Sequence, residues 1–176
     1  MKIRNVVLLF FISSLFLSIN PLDRIQKRID KEIKSTFEID SYNLEIISVD
    51  ELISNTLPSS FTDNFKKIII NNEIVGYSYY SKAPSLYNLY DYLIILDKDL
   101  KIKKSKILAY REDYGGEIAS GRWLKQFVGK SSINSFLYSK DISAISGATI
   151  SVKSMINAVE DFMLSIKILD EKNIIR

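Results

Sequence analysis

"KKIIINNEIVGYSYY", Lys66 to Tyr80, decides the class of fold. Two apolar runs rich in Ile, Val and Tyr flank Asn71-Asn72, and asparagine tolerates positive φ, so the stretch reads as a β-hairpin. Downstream, "YDYLIILDKDLKIKKSKILAY" repeats the layout, with a strand at Tyr90–Leu96, a polar turn at Asp97–Asp99 and a second strand at Ile102–Tyr110. Lys103, Lys104 and Lys106 disturb the alternation at the start of that last strand. Together the two hairpins predict an antiparallel meander of about four strands. Between them, "KAPSLYNLYD" reads as a longer loop with aromatic tips, able to cover a ligand or to pack on the sheet.

Helical periodicity brackets this sheet. Val152, Met155, Ile156, Val159, Phe162, Met163 and Ile166 recur at offsets 0, 3, 4, 7, 10, 11 and 14, which predicts a helix of about 16–20 residues with one face in the core. Before the strands, Leu22, Ile25, Ile29, Ile33 and Phe37 share a helical spacing, as a stalk or as a helix packed on the sheet. "SVDELISNTLP" suggests a short helix ending before Pro58, with Ser48 three residues ahead of Glu51 as in a capping box. A further short amphipathic helix is expected at Arg122–Phe127, where Trp123 and Phe127 lie on one face. The fold class is therefore α+β: an antiparallel, twisted sheet packed against helices, in a single domain.

Composition narrows the chemistry. The chain has 176 residues, 47% hydrophobic and 26% charged, enough for a proper core. Its net charge is +3, and Lys2 and Arg4 account for two of those charges, so nothing argues for a nucleic-acid partner. There is no cysteine and no histidine. That excludes thiolate catalysis, disulfides, iron–sulfur clusters, the Ser-His-Asp triad and most transition-metal sites. Reactivity, if there is any, is expected from a bound cofactor.

Residues 1–20 read as a signal peptide or membrane anchor. A basic "MKIR" precedes Val6–Ile19, which is uncharged and almost wholly apolar. Such a run is short against the roughly 20 residues of a membrane span and matches a signal core of about 7–15. No small-x-small cleavage site follows, and Pro21 stands at the exit. The alternative is a buried helix of the globular core. Residues 21–60 then form a helical N-terminal extension.

Ser146-Gly147-Ala148-Thr149 stands directly before the last helix. Gly147 allows close backbone approach, and the helix start offers unpaired N–H groups and a positive dipole end, so the place suits an anion such as phosphate. From spacing alone two readings stay open: Thr149 helps cap the helix, or it acts through its hydroxyl.

"SGATISV", Ser146 to Val152, resembles the flavinylation motif of the FMN-binding domain family, which includes flavin-bearing domains of sodium-pumping NADH:quinone reductases and Rnf electron-transfer complexes. "REDYGGEIASGRWLKQFVGK" is similar to the glycine element of the same family. Glu112, Gly115, Gly116, Glu117, Trp123, Phe127, Gly129 and Lys130 take the matching places, while Asp113-Tyr114 replaces Thr-Pro. The resemblance spans roughly Lys66 to Ile168 and implies an FMN-binding domain over residues 61–170. It implies covalent FMN on Thr149 through a phosphoester, with Ser146, Gly147, Ala148, Glu112, Tyr114, Gly115 and Gly116 as its surroundings. A flavin transferase, with FAD as donor and Mg²⁺, is the implied modifying enzyme, so no metal site is expected in this chain.

Many members carry an aspartate six residues before the threonine. Here that position is Ser143, and Asp141 is the nearest carboxylate before it. Trp123 reads as core rather than as a flavin stacker, Tyr110 is comparable, and Lys153 is a surface lysine within reach of a phosphate. The implied role is an exported electron carrier, periplasmic or anchored on the extracytoplasmic side, with membrane redox partners. The alternatives are a flavin-dependent reductase with its own small substrate, or a non-catalytic periplasmic binding module.

Overall fold

The computed structural model describes residues 21–175. The predicted export segment at Val6–Ile19 lies outside them. Among the described residues no helix is long and apolar enough to cross a membrane.

Five strands form one antiparallel sheet in sequence order: β1 (Asn43–Ile46), β2 (Phe65–Ile70), β3 (Glu73–Pro84), β4 (Leu89–Asp97) and β5 (Ile102–Ala109). The meander is as expected, with one strand more. β1 escaped notice because it has only four residues and three of them are exposed, so it carries almost no apolar alternation. Asn71 and Asn72 both take positive φ, 51° and 64°, and close the β2–β3 hairpin. At the β4–β5 turn, Asp97 Oδ1 accepts from the N–H groups of Asp99 (2.9 Å) and Lys101 (3.0 Å). The supposed long loop after Lys82 is short, since β3 runs to Pro84 and β4 begins at Leu89.

Helices cover both faces of the sheet. On one face lies α1 (Pro21–Phe37), so this segment packs on the sheet. Ile29 and Ile33 meet Ile68, Leu93, Ile95 and Leu108 there. The lysines that blurred β5 hold this helix: Glu32 pairs with Lys104 at 2.8 Å and Lys106 at 3.4 Å. Burial pushes the Glu32 carboxyl up, but the hydrogen bonds and charges of these two lysines outweigh it and hold the group below its ordinary range. Lys103 sits 5.5 Å from the Phe37 ring centre, and the Arg28 guanidinium donates to the Leu108 carbonyl.

On the other face lies α4 (Thr149–Glu171), 23 residues long and therefore longer than expected. Its Val152, Met155, Ile156, Val159, Phe162, Met163, Ile166 and Leu169 are buried, each such side chain contributing about 1.5–3 kcal/mol. Phe162 stacks on Tyr79 with ring centres 4.2 Å apart and planes 11° from parallel. β4 lies under both helices, with Tyr92, Ile94 and Leu96 in the α4 core and Leu93 and Ile95 in the α1 core.

Two short helices complete the fold. In α2 (Glu51–Ser54) the capping residue is Asp50, whose Oδ1 accepts from Leu52 N at 2.9 Å, rather than Ser48. After β5, a single turn of 3₁₀ helix at Gly116–Ala119 leads into α3 (Gly121–Leu124) and a second such turn at Lys125–Phe127. Trp123 and Phe127 pack edge to face at 5.3 Å, both buried, as core residues.

Candidate functional site

α4 begins at Thr149, and its cap position is Ala148, with φ −129° and ψ 23°. Among the described residues no side chain caps this helix end. Neither Ser146 nor Thr149 does the capping that spacing alone allowed. The first helical bond runs from Val152 N to Ala148 O at 2.9 Å. Three N–H groups, of Thr149, Ile150 and Ser151, therefore precede it without a helical acceptor. Thr149 is exposed, and its hydroxyl makes no hydrogen bond among the described residues. The end of a long helix is left open, with a free hydroxyl on its first residue.

Four sets of contacts fix that end in space. Gly115, at φ 75°, is pressed against the motif: a Cβ placed there would come 2.5 Å from the Ala148 Cβ and 3.2 Å from the Gly147 carbonyl oxygen. Gly147 itself takes φ 74°, which turns the chain into the helix. From beneath, Tyr90 and Tyr110 tie the first turn to the sheet. The Tyr90 hydroxyl donates to Ser151 O at 3.0 Å and lies 2.8 Å from Ser154 Oγ, and that of Tyr110 lies 3.0 Å from Ser151 Oγ. Burial pushes the Tyr90 phenol up, so it stays a neutral donor.

The other two sets hold the loop before the motif. Trp123 Nε1 donates to Ser143 O, and Ser143 N donates to Gln126 Oε1, both at 2.8 Å. One turn earlier, Asp141 Oδ2 accepts from Ser135 Oγ (2.6 Å) and Leu137 N (3.0 Å). Chiefly the Ser135 hydroxyl, then the Leu137 N–H, hold this carboxyl below its usual range. Asp141 thus organises its own loop, and Ser143 is held through its backbone.

Thr149 stands at the edge of a cleft of about 510 Å³. Tyr110, Glu112, Asp113, Tyr114 and Gly147–Ser151 line it, together with Leu86 and Tyr87 from the β3–β4 turn. Its rim is apolar and exposed: Tyr87 is 82% exposed, Tyr114 81% and Leu86 58%. Glu112 Oε1 accepts from Tyr87 N (2.9 Å), Asn88 N (2.8 Å) and the Ser85 hydroxyl. The Ser85 hydroxyl first, then these N–H groups, hold its carboxyl below the usual range.

The cleft gathers most of the predicted site. Thr149, Gly147, Ala148, Glu112 and Tyr114 line it, and Gly115 backs the motif directly. Ser146 lines a different cleft, with Trp123, Gln126 and Arg122. Gly116 is exposed with open space around it. Lys153 is exposed, 5.2 Å from the Tyr138 ring centre. Leu86 and Tyr87 were missed as site residues. Their only signal was the aromatic texture of the loop, and their place depends on Glu112, far away in sequence. A larger cleft of about 590 Å³ lies between α1 and the sheet, lined by Ile25, Ile29, Leu44, Tyr80 and Leu93, and holds none of these residues.

Residues 90–163, from the start of β4 into α4, match the FMN-binding domain family. Over this span the chain is similar to an FMN-binding domain. The matched span is narrower than the resemblance first drawn from Lys66 to Ile168, and leaves β1, β2 and β3 outside it. No curated protein matches the chain.

The residues present fit FMN. Free N–H groups at the start of α4 suit its phosphate, and a cleft of several hundred Å³ with aromatic and apolar walls suits its ring. Gly115 supplies the close approach that any Cβ would fill. FMN as cofactor makes this a flavin-binding protein, and flavin brings the one- and two-electron chemistry that a chain without cysteine or histidine lacks.

Proposed function

We propose that this FMN-binding domain is an extracytoplasmic electron carrier with FMN held covalently on Thr149 through a phosphoester. The observation that carries the reading is the contact of Gly115 with Ala148. It brings the two motifs, distant in sequence, into one site and leaves the Thr149 hydroxyl free beside it.

In this reading the Thr149 oxygen forms the bond to phosphorus and gives up its proton. Glu112 Oε1 is engaged by three hydrogen bonds and Asp113, which also lines the cleft, is exposed, so this reading assigns neither carboxylate as the base. Base and metal then belong to the flavin transferase, with FAD as donor and the adenylate half as leaving group. The N–H groups of Thr149, Ile150 and Ser151 and the positive end of α4 stabilise the remaining phosphate charge. Leu86, Tyr87, Tyr110, Tyr114 and Ile150 offer an apolar surface to the ring. The ring lies near an open rim, which suits electron exchange with partners at a membrane surface rather than turnover of an enclosed substrate. Covalent attachment also prevents loss of the cofactor in an exported compartment, and Val6–Ile19 is the segment that would export or anchor the chain.

The test is intact mass after coexpression with a flavin transferase. The chain gains one FMN moiety, the colour survives denaturation and precipitation, and Thr149→Ala abolishes both. An unshifted mass in the presence of a transferase that modifies a control substrate refutes the attachment.

A further inference from the structure

The turn between β3 and β4 is held more tightly than a hairpin loop requires. Ser85 N donates to Asn88 O at 2.8 Å, and the single Ser85 hydroxyl proton is shared between Asn88 O and Glu112 Oε1. Glu112 accepts from Ser85 Oγ, Tyr87 N and Asn88 N. Asn88 Nδ2 donates to Arg111 O at 3.2 Å, and Arg111 Nη1 donates to Leu89 O at 2.7 Å. Arg111 is fixed in turn by an ion pair with Asp91, which is buried and also accepts from the Tyr80 hydroxyl at 2.5 Å.

This network immobilises a turn whose most prominent side chain has no partner. Tyr87 is 82% exposed. Among the described residues its hydroxyl makes no hydrogen bond and its ring meets no other ring. The backbone of an exposed aromatic residue is fixed beside the cleft that Thr149 borders. Such ordering of a site before ligand arrives lowers the entropy cost of binding. Exposed aromatic surface on a rigid loop otherwise brings no stability to the fold.

We propose that Tyr87 is the wall against which the flavin ring rests, and that Glu112 is the positioning residue that holds this wall in place. The proposal rests on flavin attachment at Thr149. It gives Glu112 a role different from direct contact with flavin: its carboxylate is spent on the turn. Tyr114, equally exposed, has no comparable set of bonds to its own backbone, and stands as the control.

Contact with a tyrosine ring quenches flavin emission, and a covalently held flavin stays on the chain when the fold is lost. Each loaded protein therefore carries its own reference, the emission in guanidinium. Loaded wild type is expected to emit several-fold less when folded than when unfolded. Tyr87→Leu should raise the folded emission at least twofold without changing the unfolded value, and Tyr87→Phe should keep most of the quenching. Glu112→Gln should raise it in part, and adding it to Tyr87→Leu should bring no further rise, because it acts through that ring. Quenching that survives Tyr87→Leu, or that disappears with Tyr114→Leu alone, overturns the wall while leaving attachment intact. A chain that takes up no covalent flavin refutes the attachment and the wall together.

Discussion

Gly115 offers the sharpest quantitative test of how the site is built. Replacing it with alanine imposes two separate costs. Its φ of 75° lies in the left-handed region, where an L side chain costs roughly 1–2 kcal/mol. The new Cβ would also stand 2.5 Å from the Ala148 Cβ, and relieving such overpacking in a tight place costs roughly 1–3 kcal/mol. The expected loss is about 2–5 kcal/mol, a large part of the roughly 5–15 kcal/mol that holds a domain together. Denaturant titration followed by the emission of Trp123, the single tryptophan, measures it. The steric part can be isolated by a cycle with Ala148→Gly, which removes the opposing methyl from a cap position where glycine is well tolerated. In that background Gly115→Ala should cost about 1–3 kcal/mol less. Gly116→Ala, with open space and no positive φ, should stay within about 0.5 kcal/mol of wild type. Flavin incorporation into Gly115→Ala should fall as well, because Ala148 cannot move without Thr149. A Gly115→Ala protein as stable as wild type, or a coupling below about 0.5 kcal/mol, would refute the close seating of the glycine turn on the motif.

Other perturbations separate parts of the scaffold. Trp123→Phe and Gln126→Met each remove one hydrogen bond to Ser143, and each should cost about 1 kcal/mol in denaturant titration followed by circular dichroism and slow flavin incorporation in a timed coexpression. Arg111→Met strips the buried Asp91 carboxylate of its ion pair; with Arg111 itself partly exposed, the loss should be about 2–3 kcal/mol, again by denaturant titration. Glu112 has a folded pKa below its ordinary value of 4.5, so its contribution to stability is present above that value and is lost as pH falls through the lower folded pKa. Stability measured downward from about pH 5 should therefore decline less steeply in Glu112→Gln than in wild type. Thr149→Ser, which keeps a hydroxyl, should retain detectable flavin by intact mass where Thr149→Ala has none.

Local pattern made much of this legible. Asn71-Asn72 announced its hairpin, and the spacing from Val152 to Ile166 announced the helix that fills the main core. Patterns of this kind depend on neighbours in sequence, which a single chain displays directly. What stayed hidden depends on partners brought from afar. The lysines of β5 looked like noise because Glu32, which pairs with two of them, lies on a helix some seventy residues earlier. Glu112 could be picked out as a candidate, but its work on residues 85–88 could not, since it stands 25 residues from Tyr87 in sequence. Ser146 and Thr149 are three apart and read as one site, yet they line different clefts. β1 and the Asp50 cap failed for a simpler reason: each is too short to rise above its surroundings.

Because every strand pairs with its neighbour in sequence, the sheet can be laid down progressively as the chain emerges, with only short loops to close from β2 to β5. All five strands are complete by Ala109, whereas Thr149 opens the last element, whose far turns at Phe162 and Ile166 reach back into the main core. A chain stopped within the first turns of that helix keeps its threonine but loses the shape that presents it. Under the proposed attachment, flavin then marks finished molecules: a pool of this protein sorted by colour would also be sorted by completeness of folding.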